Sequence, residues 1–229
     1  MKKNLTLIIL SVFLFSTSFA QKKEIRDVDD FTAVSFGVAG ELFLKQGSQF
    51  RVEIEGDEDL LDVIETYVQN DRLVIKKKNW RIKPNKKVTV YITMEEIDGL
   101  SVSGSGRLSS QGPINCDILN LGVSGSGKLN LENLSADEID CGISGSGDVF
   151  ISGKGADAGE ISISGSGSFN GVDFEMEDVE VRISGSGNCK VNVVQELNAR
   201  VSGSGDIYYT GNAPRVDAKV SGSGKVRKL

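Results

Sequence analysis

The sequence contains no histidine, only three cysteines, three prolines and a single tryptophan. Without histidine, the chain lacks the residue that most often acts as general base, metal ligand and pH switch near neutrality. Three cysteines allow at most one disulfide bond. Beyond the N-terminus there is no long apolar run, so the sequence predicts no membrane-spanning helix in the mature chain. These shortages count against a histidine-based enzyme, a metal site and an integral membrane protein.

The first 20 residues have the pattern of a secretory signal peptide. Lys2 and Lys3 precede an apolar run from Leu5 to Phe15, and small residues lead to a cleavage point after Ala20. The apolar run is too short to form a transmembrane helix. We therefore expect residues 1–20 to be removed and the protein to be exported, to the periplasm or to the cell surface.

The mature chain is acidic, which counts against a nucleic-acid partner. Its formal net charge of −6 becomes −8 once the two N-terminal lysines are removed. Binding to nucleic acid depends on neutralising phosphates with lysine and arginine. The one strongly basic stretch, Arg72 to Lys87, holds eight basic residues and no acid. Any attraction for a polyanion is therefore expected to be local to that stretch.

The tetrapeptide Ser-Gly-Ser-Gly occurs seven times, at spacings of 18 to 21 residues. Its copies start at Ser103, Ser124, Ser144, Ser164, Ser184, Ser202 and Ser221. A β-branched residue precedes every copy, a polar residue follows it, and an apolar residue or cysteine comes next. Alternation with a period of two is typical of strands with one buried face. A repeat of this length predicts stacked structural units.

The repeat predicts an all-β fold in which each unit contributes two short strands around a glycine-rich bend. A single unit cannot bury its apolar face, but stacked units can when equivalent strands pair in parallel. We predict a β-solenoid of eight or nine coils, each of about 20 residues, with equivalent side chains in columns about 4.8 Å apart. Regular coils are expected over residues 100–213, and a last partial coil over 214–229. Both glycines of each tetrapeptide are expected to face inward at a tight corner, and both serines outward.

Residues 29–99 carry a weaker form of the pattern. The segment Val34 to Leu44 aligns with Leu121 to Leu131 and predicts a degenerate first coil. The segment Asp57 to Val68 has apolar residues at helical spacing and acids in its first turn, which predicts one short helix. Irregular units of this kind are expected to cover an exposed end of a solenoid.

The order of these features resembles a known family. The sequence Asp-Phe-Thr-Ala-Val at Asp30 to Val34 is followed by Lys-Gln-Gly at Lys45 to Gly47 and Val-Glu-Ile-Glu-Gly-Asp-Glu at Val52 to Glu58. A Leu-Val-Ile strand and the Val-Ser-Gly-Ser-Gly repeats come next. This order is similar to the auto-transporter adhesin head GIN domain family, over residues 29–213. The resemblance implies a single-stranded, right-handed parallel β-helix in an exported bacterial envelope protein, and it supplies no catalytic residues.

The three cysteines are expected to remain free. Cys141 and Cys189 occupy columns otherwise filled mainly by aliphatic and aromatic residues, and they lie in different columns more than one coil apart. Cys116 stands at a third position in the repeat. A disulfide needs Cα atoms about 5.5 Å apart. We interpret Cys141 and Cys189 as small buried hydrophobic residues.

One stretch has chemistry suited to binding. Lys76, Lys77, Lys78 and Arg81 surround Trp80, the single tryptophan. The cations could attract an anionic glycan or a lipid headgroup while the indole stacks on a sugar ring. The alternative is a solvated hairpin whose lysines discourage pairing at a sheet edge. These five residues are the possible ligand site that the sequence offers.

The carboxylates do not form a recognisable catalytic pair. Asp148 and Asp206 share a column but lie three coils apart, with Ser168 and Asn188 between them. Glycoside hydrolysis requires two carboxyl groups at a defined separation. We therefore predict a non-enzymatic, adhesin-like module that binds a glycan, an envelope polymer or a surface protein, without catalytic residues, cofactor or metal. The alternatives are a carbohydrate-active enzyme on the same fold and a structural protein whose serine columns match a regular surface.

Overall fold

The computed structural model describes residues 22–78 and 87–229, and this part of the chain contains seventeen strands and one short helix. The strands are β1 (Lys22–Ile25), β2 (Ala33–Phe36), β3 (Gly40–Gln46), β4 (Arg51–Gly56), β5 (Ile64–Gln69), β6 (Arg72–Lys77), β7 (Val88–Met94), β8 (Gly99–Gly104), β9 (Arg107–Ser110), β10 (Ile114–Gly125), β11 (Lys128–Gly145), β12 (Asp148–Gly165), β13 (Ser168–Gly185), β14 (Asn188–Gly203), β15 (Asp206–Thr210), β16 (Arg215–Gly222) and β17 (Lys225–Lys228). The helix is α1 (Glu58–Leu61). No helix in this part of the chain is long and apolar enough to cross a membrane. The predicted signal peptide lies outside the described residues.

The body of the molecule is a parallel β-solenoid of about six turns, built from coils of about 20 residues. Each long strand from β10 to β14 pairs in parallel with the next, so that Val123 aligns with Ile143 and Ile143 with Ile163. These aligned residues are buried and form a column of the core. The predicted all-β solenoid is therefore confirmed. At the N-terminal end, parallel pairing continues these regular turns through β8 and β9, β2 and β3, and β6 and β7, so the stack has the eight or nine layers that the sequence predicts.

The two glycines of each tetrapeptide have different roles, and the prediction that both face inward is wrong for the first. Gly165 has a φ of 121°, and a Cβ there would lie 2.4 Å from the carbonyl oxygen of Gly145 in the preceding coil. Only the second glycine is buried: a Cβ at Gly167 would lie 2.6 Å from Cγ2 of Ile143. Backbone conformation and close stacking thus require glycine at the first position, and core contact requires it at the second. Both serines are exposed, as predicted, in the six copies from Ser124 onward, for example Ser164 and Ser166, whereas Ser103 is half-buried.

The first coil of the sequence is not the first coil of the stack. Strands β2 and β3 pair in parallel with β6 and β7 on one side and with β8 and β9 on the other. Val34 aligns with Leu100, which aligns with Leu121, so the predicted alignment of this coil with the regular repeat is confirmed. The outer coil of β6 and β7 is covered by antiparallel strands: β5 pairs with β6, β4 with β7, and β1 with β4.

The predicted helix over Asp57 to Val68 is wrong beyond its first turn. Helix α1 covers only four residues, and its two leucines are buried. Strand β5 follows and forms a hairpin with β6 through Asn70 and Asp71, whose φ angles of 51° and 56° are left-handed. The isoleucine, threonine, tyrosine and valine of β5 favour a strand. Pairing with β6 therefore outweighs the helical spacing of the apolar residues.

Candidate functional site

A shallow groove of about 1220 Å³ runs along the outer face of the solenoid beside the glycine-rich bend. It extends from the coil of Val102 to the coil of Ser221. Most coils contribute the same positions: the first serine of the tetrapeptide, the β-branched residue before it, and the residue before that. Seven coils with a rise of about 4.8 Å give a groove roughly 29 Å long. The groove is therefore elongated and runs parallel to the solenoid axis.

The first serines of the tetrapeptides form one column of the groove. They are Ser124, Ser144, Ser164, Ser184, Ser202 and Ser221. Parallel pairing holds each serine directly beside its equivalent in the next coil, and all six are exposed. Within the described residues, none of these six hydroxyls makes a hydrogen bond to another protein group. Since each hydroxyl can donate one hydrogen bond and accept two, the column offers a regular series of unused donors and acceptors.

Small residues form the second column of the groove in its first half. They are Gly122, Gly142 and Ser162, two positions before the first serine of their coils. A Cβ at Gly142 would meet no atom within 4 Å, so the space above the backbone is open there. A ligand could therefore lie directly against the backbone of the sheet. The sequence shows a small residue at this position of three successive repeats, but only the stacking of the coils brings the three together in a column.

In its second half, the same column changes to the cations Arg182, Arg200 and Lys219. Both arginines make ion pairs with acids. The pairs are Arg182 with Glu160 and with Glu180 (2.6 Å), and Arg200 with Asp217 (2.7 Å). These exposed pairs contribute little to stability, but they neutralise the arginines. Lys219 makes no ion pair within the described part of the chain.

Lys76, the first residue of the predicted basic cluster, lies on the line of the serine column, at the N-terminal end of the stack. A Cβ added at Gly37 would lie 3.8 Å from Cβ of Lys76 and 3.0 Å from Oγ of Ser103, so Gly37 separates these two residues. The Lys76 ammonium lies 3.8 Å from the Glu65 carboxylate and 5.0 Å from the centre of the Tyr67 ring. Interaction of its ammonium with the Tyr67 side chain, more than the charge of Glu65, raises the pKa of Lys76. This lysine is thus already engaged by its own hairpin.

Of the other four residues of the cluster, Lys77 and Lys78 belong to the described part of the chain. Lys77 lines a small cleft with Lys76, and Lys78 donates a hydrogen bond of 3.0 Å to the carbonyl oxygen of Asp62. Trp80 and Arg81 lie outside the described residues. The interpretation of the five residues as a ligand site therefore stays a prediction.

The carboxylates of the column considered for catalysis are separated as predicted. Asp148 aligns with Ser168, Ser168 with Asn188, and Asn188 with Asp206. Asp148 accepts hydrogen bonds from Nζ of Lys128 (2.8 Å) and Oγ of Ser168 (2.6 Å). These bonds, that from Lys128 foremost, lower the pKa of Asp148. An aspartate held in its ionised form is poorly suited to act as a general acid near neutral pH.

All three cysteines are free. Cys141 and Cys189 are buried, and Cys141 aligns with Leu121 and Ile161 in one column of the core. Burial raises the pKa of each of these thiols, and that of the half-buried Cys116 to about 11. Thiols with a raised pKa are weak nucleophiles because little thiolate forms. Cys141 and Cys189 are therefore buried small hydrophobic residues, as the sequence predicts.

Fold and surface together define a parallel β-solenoid with an elongated, solvent-open groove along its outer face. The chain belongs to the family described as "Putative auto-transporter adhesin, head GIN domain", whose model matches residues 30–213. The resemblance inferred from the sequence is thereby confirmed.

Several solved structures share this fold. A "putative adhesin" from Bacteroides fragilis is 22% identical with a TM-score of 0.85, covering 93% of this chain and 98% of that one. A "Putative lipid binding protein" from Parabacteroides distasonis is 22% identical with a TM-score of 0.74, covering 91% and 96%. A "putative adhesin" from Parabacteroides merdae is 24% identical with a TM-score of 0.68, covering 91% and 96%. At these identities the similarity shows a common fold alone. The search of curated proteins finds no match.

Proposed function

We propose that this chain is an exported, non-enzymatic, adhesin-like binding module that holds a glycan or a similar envelope polymer along the outer groove. The observation that supports this most directly is the register of the serine column, in which six exposed hydroxyls without protein partners repeat coil after coil. A site that repeats every 4.8 Å or so suits a polymer with regularly spaced hydroxyl groups better than a compact molecule. Membership of an adhesin-like family supports the same conclusion.

The charge around the groove favours an uncharged polymer. Two of its three cations are neutralised by acids of the neighbouring column. Outside Arg72 to Lys87, the mature chain carries a net charge of −16. This background repels polyanions beyond the basic stretch. We therefore expect a glycan without acidic groups in the groove. An anionic polymer would instead contact the cluster from Lys76 to Arg81.

The proposal is tested with a variant that fills the groove. Gly142→Gln adds a long neutral side chain where a Cβ meets no other atom, so the fold is expected to tolerate it. Binding is measured on an array of neutral and acidic envelope glycans, and by calorimetry with any glycan that binds. The variant should bind about tenfold more weakly or not at all. The added side chain keeps the glycan hydroxyls away from the serine column, and burying a hydroxyl without its partner is unfavourable. The matched control Asp137→Gln changes an exposed residue outside the groove and should bind as the parent does.

Three results would contradict this proposal. A parent protein that binds no glycan on the array has no such function, and a Gly142→Gln variant of unchanged affinity places the site elsewhere. If Gly142→Gln leaves the affinity unchanged, loss of binding after replacing Lys76, Lys77, Lys78 and Arg81 with serine would assign the binding site to the basic cluster. Release of reducing sugar from the bound glycan would support the carbohydrate-active enzyme instead.

A further inference from the structure

The two ends of the described stack differ. At the N-terminal end, the strands β1, β4 and β5 cover the outermost coil. At the other end, β16 pairs with β14 along one edge, and within the described residues no strand pairs with its second edge. Val216 and Val220 are 41% and 43% exposed there, whereas the residues aligned with them, Leu197 and Val201, are buried. An open strand edge with exposed apolar side chains is a template for pairing with another strand.

Strand β16 is complementary to itself in antiparallel orientation. When two copies pair about a two-fold axis at Ala218, Val216 of one copy stands opposite Val220 of the other, and Asp217 opposite Lys219. The valines then share the inward face and the charged residues share the outward face, as strand alternation requires. Opposite charges directly across an antiparallel pair stabilise it, and like charges destabilise it.

The charge pattern also selects this register over its neighbours. A shift by two residues in one direction places Lys219 opposite Lys219. A shift in the other direction places Asp217 opposite Asp217. Both shifts replace attraction by repulsion. The aligned register is therefore the one that pairs apolar with apolar residues and acid with base at once.

We propose that two copies of this chain associate tail to tail through β16, so that the sheet continues from one solenoid into the other. The contact is isologous, since the same strand serves both copies. Strand β17 follows the glycine-rich bend and lies outside the paired strand, so its basic residues take no part in these cross-strand pairs. The outward faces of the two β16 strands share one side of the joined sheet, and the two grooves therefore meet there.

Charge reversal at the paired positions tests the proposal. In the Asp217→Lys variant, a lysine of one copy stands opposite Lys219 of the other. In the Lys219→Asp variant, an aspartate of one copy stands opposite Asp217 of the other. Each variant alone should raise the dissociation constant of the dimer about tenfold or more, measured by analytical ultracentrifugation against concentration. An equimolar mixture of the two variants should restore association as a heterodimer, because both cross-strand pairs regain opposite charges. The control Lys225→Asp alters charge at the same end but outside the pairs, and should associate as the parent does.

A parent protein that stays monomeric at every concentration overturns the proposal, and so does a mixture that fails to restore association. Circular dichroism verifies that each variant is folded. As a second measurement, Ala218→Cys places two thiols at the two-fold axis, where Cα atoms of paired strands lie about 4.5–5.5 Å apart, within the range that a disulfide spans. Oxidation with glutathione disulfide should give a covalent dimer, which the parent, with its buried and half-buried cysteines, should not form. Absence of this cross-link in a folded variant contradicts the register.

Discussion

At the residue scale, the glycines of a coil differ in the structural reason that requires glycine at each position. Gly165 needs its left-handed backbone and Gly167 its lack of a side chain toward the core, whereas Gly142 has neither constraint. The alternation of apolar and polar residues predicts which side chains enter the core. It could not predict the role of Gly165, because side chains alternate between the two faces only while the backbone is extended. A positive φ at the bend interrupts this alternation.

Two matched substitutions separate these roles. Gly167→Ala should lower the free energy of unfolding by about 2–3 kcal/mol, because its methyl group overpacks the core at 2.5 Å from the carbonyl oxygen of Gly147. Gly142→Ala should raise it by about 0.5 kcal/mol, since alanine restricts the unfolded chain at no cost in the folded one. Urea denaturation of both variants measures the difference. Equal effects would show that the two glycines do not face opposite sides of the sheet.

At the scale of elements, the sequence indicated the strands but assigned one of them to a helix. The leucines of α1 and the apolar residues of β5 happen to fall at helical spacing, while the partner that makes β5 a strand comes only after the turn at Asn70 and Asp71. Spacing within a segment contains no information about such a partner. The groove escaped prediction for a related reason, because it depends on a column of small residues that only stacking brings together.

The hairpin turn offers a test of this element. Asp71 has a φ of 56° in a two-residue turn between antiparallel strands, a position where glycine is preferred. Asp71→Gly should therefore raise the free energy of unfolding by about 0.5 kcal/mol, whereas Asp71→Ala should lower it by about 1 kcal/mol. Thermal unfolding of the two variants measures both changes in stability. A loss of stability with glycine would mean that the aspartate side chain matters more than the backbone angle.

At the scale of the whole molecule, each coil contacts only its neighbours, so stability is expected to vary along the stack. Strands β11 to β13 have paired coils on both sides, while β16 has one. Amide hydrogen exchange should therefore be slowest in β12 and fastest in β16 and β17, at protein concentrations where the chain is monomeric. Mass spectrometry of peptic fragments measures this gradient. Uniform protection along the chain would show that the solenoid opens only as a whole.

The order of coils in the stack also bears on how the chain folds as it is synthesised. Domains form from the N-terminus while the chain emerges at about 5–20 residues per second. The coil of β2 and β3 cannot be enclosed until β6 to β9 are available, which means until about residue 110 has emerged. Nearly half of the polypeptide must therefore wait in an incomplete state. Every later coil then finds a finished surface to fold upon, so the second half of the protein can form one coil at a time as it appears.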